Sequence, residues 1–394
     1  MILIAAFFLS YLCYGPITPY IALMARGLGY SPSTVGILLG VFEGAGIAGP
    51  FLFGYFADKW GRYKPGLIMV FLLVAVSALP LALSRHPLIS AFLIAMLGMG
   101  IRSFAPLLDA VATISLGNRG NYGKVRAFGS ISYILMVLFL QYTPILPPKN
   151  SLNIGIWVTL TACLAMFTMI SIPAVYTGNG RPRTAATATN TPDGKGRKIG
   201  SPLLVMGLLV IAFNRLAMAP INGFISLYVL EEMHWDAVGL VAALSAVAEV
   251  PFMFISARLI RRFGAFPLVA FSSVMLGLRL GLYGLFPFRG AVITGQLLHS
   301  FCYGIFHPAA VALISSCVPP ERRALGMSLY LSLGTGLPTL LGNIAGGIII
   351  EHWGYRVLFT SFISFAALSV GLYLFTRFHR RRRDGAEGTG GYIR

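Results

Sequence analysis

Charge is what this sequence has least of. Only 11% of its 394 residues are charged, and 12 acids face 30 lysines and arginines. Soluble domains carry about 25% charged residues. With 57% hydrophobic residues and a mean hydropathy of +0.79, a chain of this length cannot hide its apolar surface from water, which excludes a soluble protein. Cysteine is scarce too. Cys13, Cys163, Cys302 and Cys317 all lie in apolar runs without CxxC spacing, so neither a disulfide framework nor a thiolate metal site is expected. The nucleotide loop GxxxxGK[ST] is missing, which argues against direct ATP drive. No catalytic constellation and no His/Cys/carboxylate metal spacing is found, so the chain is read as neither enzyme nor metalloprotein. The opening MILIAAFFLSYLCYG has no basic n-region or small-residue cleavage site and is read as a first spanning helix, not a removable signal.

What is there is a series of apolar runs. A spanning helix needs roughly 20 mostly apolar residues. Twelve runs qualify: 2–25, 33–56, 65–84, 88–115, 123–144, 153–176, 201–230, 237–259, 265–286, 290–317, 324–350 and 356–377. The expected fold is an all-α membrane protein with twelve transmembrane helices in two six-helix bundles. Residues 1–176 form the first bundle, 177–200 a Thr-, Gly- and Lys/Arg-rich cytoplasmic linker, 201–377 the second bundle, and 378–394 a basic tail. Twenty-one Lys/Arg fall on one side, five on the other and four within spans, which places both termini in the cytoplasm. The net charge of +18 therefore reflects orientation, not nucleic-acid binding. The Arg380–Arg383 run is expected to meet anionic lipid headgroups.

The loop after the second run, GYFADKWGRYK (Gly54–Lys64), resembles the G-x-x-x-D-[RK]-x-G-R-[RK] signature of the major facilitator superfamily in both residues and position. Its copy after the eighth run, SARLIRRFGAFP (Ser256–Pro267), lacks the acid. Gly54 and Gly61 would permit close helix approach and a tight turn. Asp58, with Lys59 and Arg62, would latch one conformation by meeting arginines or a helix N-terminus. Further segments, PxxDA (Pro106–Ala110), YGKVRAFGS, AEVP, Arg279 and QLLHSFCYGIFH, look like the oligosaccharide, nucleoside and phenylpropionate proton-symporter branch. That resemblance implies that Asp109 and Arg126 bind substrate, and that Glu249, Arg279 and His299 handle a proton. One departure is that Cys302 stands where sugar-transporting members place a second carboxylate.

The residues themselves carry an independent argument. Ionisable groups at membrane depth are costly and mark functional sites. Arg102 and Asp109 are seven apart, hence nearly on one helix face. With Arg126 and Glu43 they put two acids and two bases in the first bundle. In the second, Glu249, Arg279 and His299 lie roughly 18, 10 and 14 Å below the outer ends of their spans, so long side chains can meet. A desolvated carboxylate takes up a proton that it releases beside an arginine, so a change of partner couples protonation to conformation. Arg102, Arg126, Arg215 and Arg279 outnumber Glu43, Asp109 and Glu249 by one, which suits a carboxylate-bearing substrate meeting Arg215. Tyr14, Asn214, Gln296, Tyr303 and His307 complete the cavity-lining candidates, the last two sharing a face with His299. The expectation is a monomeric, proton-coupled uptake symporter of a saccharide, nucleoside or aromatic acid in a bacterial inner membrane. The alternative is a proton-driven drug or metabolite exporter of the same fold.

Overall fold

The computed structural model describes residues 1–116, 122–173, 202–319 and 322–386. The linker 177–200, the side chains of Arg380–Arg383 and the tail past 386 lie outside them. Among the described residues all regular structure is helical. The first span pairs α1 (Ile2–Ile17) with α2 (Ile21–Gly27). It is followed by α3 (Pro32–Trp60), α4 (Lys64–Leu83), α5 (Pro87–Leu116), α6 (Tyr122–Tyr142) and α7 (Ser151–Ser171). The second half starts with α8 (Pro202–Leu227), extended by a π-helical turn at Tyr228–Glu232, then α9 (Val238–Phe263) and α10 (Ala265–Leu285). Next, α11 (Arg289–Leu297) and α12 (Phe306–Cys317) flank a π-helical Ser300–Gly304. α13 (Arg323–Leu329) leads through a π-helical Tyr330–Gly336 into α14 (Leu337–Ala386).

Ten of these stretches are long and apolar enough to cross a membrane. α9, bent by 55° close to Pro251, adds another. The 55-residue stretch Leu325–His379 is about twice the length one crossing needs, and Gly354 breaks it with a φ of 78°. With that stretch counted as two crossings, twelve spans result among the described residues. Local chemistry sets their ends. Ser31 caps α3 ahead of Pro32, and Asn150 caps α7 by accepting from the Asn153 amide at 2.8 Å. Gly61, at a φ of 60°, closes α3 as its left-handed C-cap.

Lipid gives helices no hydrophobic reason to associate, so close packing rests on small residues. α3 and α5 meet at Gly49 and Gly98, where an added Cβ would lie 2.6 Å from the Met99 carbonyl and 2.5 Å from the Phe42 carbonyl respectively.

The chain packs as two compact units whose boundaries run inside α8, α9 and α14. One holds the first six spans with Pro220–Val247 and Thr339–Val357; the other holds the rest of α8, Ala248–Pro338 and the chain from Leu358. Within the first unit, polar contacts gather where α2 ends. Glu231 takes Arg26 Nε at 2.8 Å on one oxygen and the Tyr355 hydroxyl at 2.7 Å on the other. Two helix N-termini there are each capped from the other half of the sequence. Glu351 accepts from the Ser33 amide of α3 at 2.8 Å, and Gln141 from the Gly239 amide of α9 at 2.8 Å. Gly36 and Gly347 bring backbones together beside the first cap, a Cβ on Gly36 falling 2.9 Å from Gly347 Cα.

Candidate functional site

In the first half, α3 and α5 present their charges to each other. Gly46, one turn after Glu43, leaves the room that the Arg102 stem fills; a Cβ there would sit 2.6 Å from Arg102 Cγ. Arg102 is ion-paired with Glu43, donates to the Tyr14 hydroxyl at 2.7 Å and lies 5.2 Å from the Phe42 ring centroid. Two turns along α5, Asp109 is ion-paired with Arg126 of α6, which also donates to the Tyr122 hydroxyl at 2.8 Å. Phe104 lies between them in sequence, edge-on to Tyr11 at 5.2 Å. Each arginine here has its own carboxylate, so this cluster is neutral.

The second half is built differently. Arg279, 1% exposed, spends its guanidinium on three neutral acceptors: the Tyr283 hydroxyl at 3.0 Å, Gln296 Oε1 at 2.7 Å and His299 Nδ1 at 2.9 Å. An arginine can only donate, so Nδ1 accepts, and the ring proton of neutral His299 sits on Nε2. That nitrogen faces Glu249 Oε2 at 3.7 Å. His299 thus links the carboxylate of α9 to the arginine of α10. The rings of His299, Tyr303 and His307 stack along one face, with centroids 5.6 and 5.9 Å apart, and His307 Nδ1 meets the Tyr330 hydroxyl at 2.9 Å.

Arg215 of α8 is 5% exposed and, among the described residues, contacts no carboxylate. Asn214 Oδ1 accepts from its Nη2 at 2.9 Å and its Nε at 3.3 Å, while the Cys302 carbonyl lies 3.4 Å from Nη2. The guanidinium is 3.9 Å from the Phe306 ring centroid and 5.4 Å from that of Tyr303. Asn214 is itself held: its amide donates to Ser273 at 2.8 Å, and Ser273 meets Ser369 at 2.8 Å.

The fold therefore brings together Glu43, Arg102 and Tyr14; Asp109 and Arg126; Glu249, His299, Arg279 and Gln296; and Arg215, Asn214 and Tyr303. The signature loop is less engaged. Asp58 accepts from the Tyr63 hydroxyl at 2.6 Å, and among the described residues neither an arginine nor a helix N-terminus reaches it. Lys59 and Arg62 are exposed. Among the described residues the close approach expected at Gly54 is not made: a Cβ there would meet nothing within 4 Å. Sequence reasoning missed Tyr122, Tyr283 and Tyr330. The first two lie four residues from Arg126 and Arg279, the helical spacing that brings side chains into contact, and that signal could have found them.

Membrane-length apolar helices with ionisable groups gathered in their interior define a transporter of the major facilitator class, a multi-pass membrane protein and not an enzyme. The family model described as "MFS_1 like family" matches residues 1–361, and the chain belongs to that family. It is similar to the maltose permease of Geobacillus stearothermophilus, 23% identical over 97% of this chain and 95% of the relative. It is also similar to a probable 3-phenylpropionic acid transporter of Escherichia coli, 24% identical over 89% and 91%. In fold it matches a crystal structure of a point mutant of the nucleoside transporter NupG, with a TM-score of 0.81 and 16% identity over 95% and 98% of the two chains.

Proposed function

We propose that this transporter is a proton-coupled symporter that takes up a small organic solute by alternating access across a bacterial inner membrane. The observation that carries the reading is His299, held between the Arg279 guanidinium and the Glu249 carboxylate. Glu249 is the proton carrier. His299 cannot take a second proton while Nδ1 accepts from Arg279, so the proton goes to the carboxylate, and the histidine relays its effect to Arg279. Protonation removes the charge that faces the ring and frees Arg279 to change partners, which couples the proton to the conformational step. Asp109–Arg126 and Arg102–Glu43 supply exchangeable polar partners for the solute in the first half. The lysine and arginine distribution supports cytoplasmic termini, so the Arg26 end faces outside and its contacts act as the outer gate. The relatives, named for maltose and 3-phenylpropionic acid, support a solute of that size.

Proteoliposomes carrying Glu249→Gln provide the test. Accumulation driven by an imposed pH gradient should fall to the level of protein-free vesicles, while solute exchange at equal pH persists. Accumulation at the wild-type level would remove Glu249 from the mechanism.

A further inference from the structure

We infer that the solute is an organic monocarboxylate with an apolar body, bound through its carboxylate to Arg215, and that each cycle moves it with one proton and no net charge. This rests on the symport reading above and adds the substrate's chemistry to it. The argument begins with charge. The first-half cluster is balanced, two arginines against two carboxylates. In the second half Arg215 and Arg279 face Glu249 alone, leaving one positive charge without a counter-ion among the described residues. A buried guanidinium without a carboxylate is costly, and folds retain one where an anion completes it.

Geometry identifies Arg215 as the open position. Arg279 has an acceptor on each of its three nitrogens. Arg215 spends Nε and one face of Nη2 on Asn214, has only the distant Cys302 carbonyl as a further acceptor, and Nη1 finds none among the described residues. The free Nη1–Nη2 edge is the fork that accepts a carboxylate in a bidentate manner. Its orientation is fixed beforehand, because Asn214 is held through Ser273 to Ser369, and the plane rests on Phe306. Tyr303, partly exposed beside Arg215, gives the adjoining wall an aromatic surface that matches an apolar body better than a polyhydroxylated one. A surplus of one charge matches a monoanion, not a phosphate dianion. If Glu249 contributes one proton per turnover, a monoanion and a proton cross together and their charges cancel.

The decisive experiment measures ligand-induced thermal stabilisation of the purified full chain, using 3-phenylpropionate, its primary amide, maltose and uridine as probes. 3-Phenylpropionate should stabilise the protein and the amide should not. Arg215→Lys should weaken the carboxylate about tenfold and Arg215→Gln more, as expected when a charge-assisted bidentate contact is lost. Asn214→Asp guards against misfolding: it places a carboxylate on Arg215, so it should raise the melting temperature without ligand and abolish the shift with 3-phenylpropionate. In proteoliposomes, uptake above that of protein-free vesicles should follow a pH gradient and ignore a valinomycin-imposed potential. The inference is overturned if 3-phenylpropionate gives no shift. It is equally overturned if the shift survives Arg215→Gln and Asn214→Asp, or if maltose or uridine gives a shift that Arg215→Gln leaves intact. Failure of every probe to accumulate under a pH gradient would count against the symport reading, whatever the binding result.

Discussion

The two halves of this transporter bury their arginines by opposite means. In the first, Arg102 and Arg126 each hold a carboxylate and remain about a third exposed, with side-chain accessibilities of 34% and 39%. In the second, Arg215 and Arg279 are 5% and 1% exposed and rest on amides, a hydroxyl, an imidazole and aromatic rings. The first arrangement is complete without a ligand. The second holds a charge in reserve, offset in part by orientation and cation–π contact. A substrate or a proton therefore has more to change in the second half, and solute-free stability should be the property that separates the two.

The largest effect is expected from breaking a first-half pair. Arg102→Gln leaves Glu43 charged in an apolar setting beside Tyr14. Removing one partner of a buried ion pair costs 3–5 kcal/mol when burial is complete, so about 2–3 kcal/mol is expected at this partly exposed site. Replacing Glu43 with Gln as well should restore much of the loss, and the double-mutant cycle should show coupling of about 1 kcal/mol or more. Thermal unfolding of the single and double variants checks this. Arg215→Gln should behave in the opposite sense. It removes a buried charge that has no carboxylate to abandon, so the solute-free protein should be unchanged or stabilised by about 1 kcal/mol. If Arg215→Gln cost as much as Arg102→Gln, the contrast between the halves would be false.

A smaller effect sharpens the picture of Arg279. Lysine keeps the charge but is a point donor that cannot satisfy Tyr283, Gln296 and His299 at once. Arg279→Lys should leave at least one of them without its partner, costing about 1–2 kcal/mol in thermal stability. By releasing His299 Nδ1 it should also free that nitrogen to take a second proton, which would appear as an altered pH dependence of uptake. An unaltered pH profile would show that Arg279 does not set the protonation of His299.

The spans were legible because lipid demands about 20 apolar residues per crossing, and composition alone exposes such runs. The membrane arginines and acids were legible for the same reason: a charge stands out in an apolar run. The rise per residue was enough to bring Glu249, Arg279 and His299 within side-chain reach of one another. The partners of Arg215 were not legible, because an asparagine next to an arginine looks like packing until its amide is seen tied to Ser273 and Ser369. Asp58 misled in the opposite way. Its loop matches a family signature closely, yet a signature records contacts made somewhere in a cycle, and here its bond is to Tyr63. The caps by Gln141 and Glu351 could not be read at all, since they join residues 98 and 318 positions apart. Capping rules recognise a helix start from its neighbours in sequence, and these capping groups are not neighbours.

Those caps repeat the contrast between the halves on a smaller scale. The cap on α3 is a carboxylate from the second half, and the cap on α9 is a neutral amide from the first. Both satisfy amides that a helix cannot satisfy itself, but only Glu351 also meets the helix dipole with a charge, a contribution that salt screens. Glu351→Gln, which makes the two caps alike, should therefore weaken the Arg26 end only slightly and remove the salt dependence. Gln141→Ala should cost about 1 kcal/mol, Glu351→Ala should also weaken this end, and the double variant should expose it more often. A cysteine at Leu38, 2% exposed behind the Glu351 cap, reports the opening through its reaction rate with a membrane-impermeant maleimide. The rate should rise least for Glu351→Gln, more for each alanine variant and most for both together. Equal rates across the series would mean that the caps hold local helix ends and take no part in closing this face.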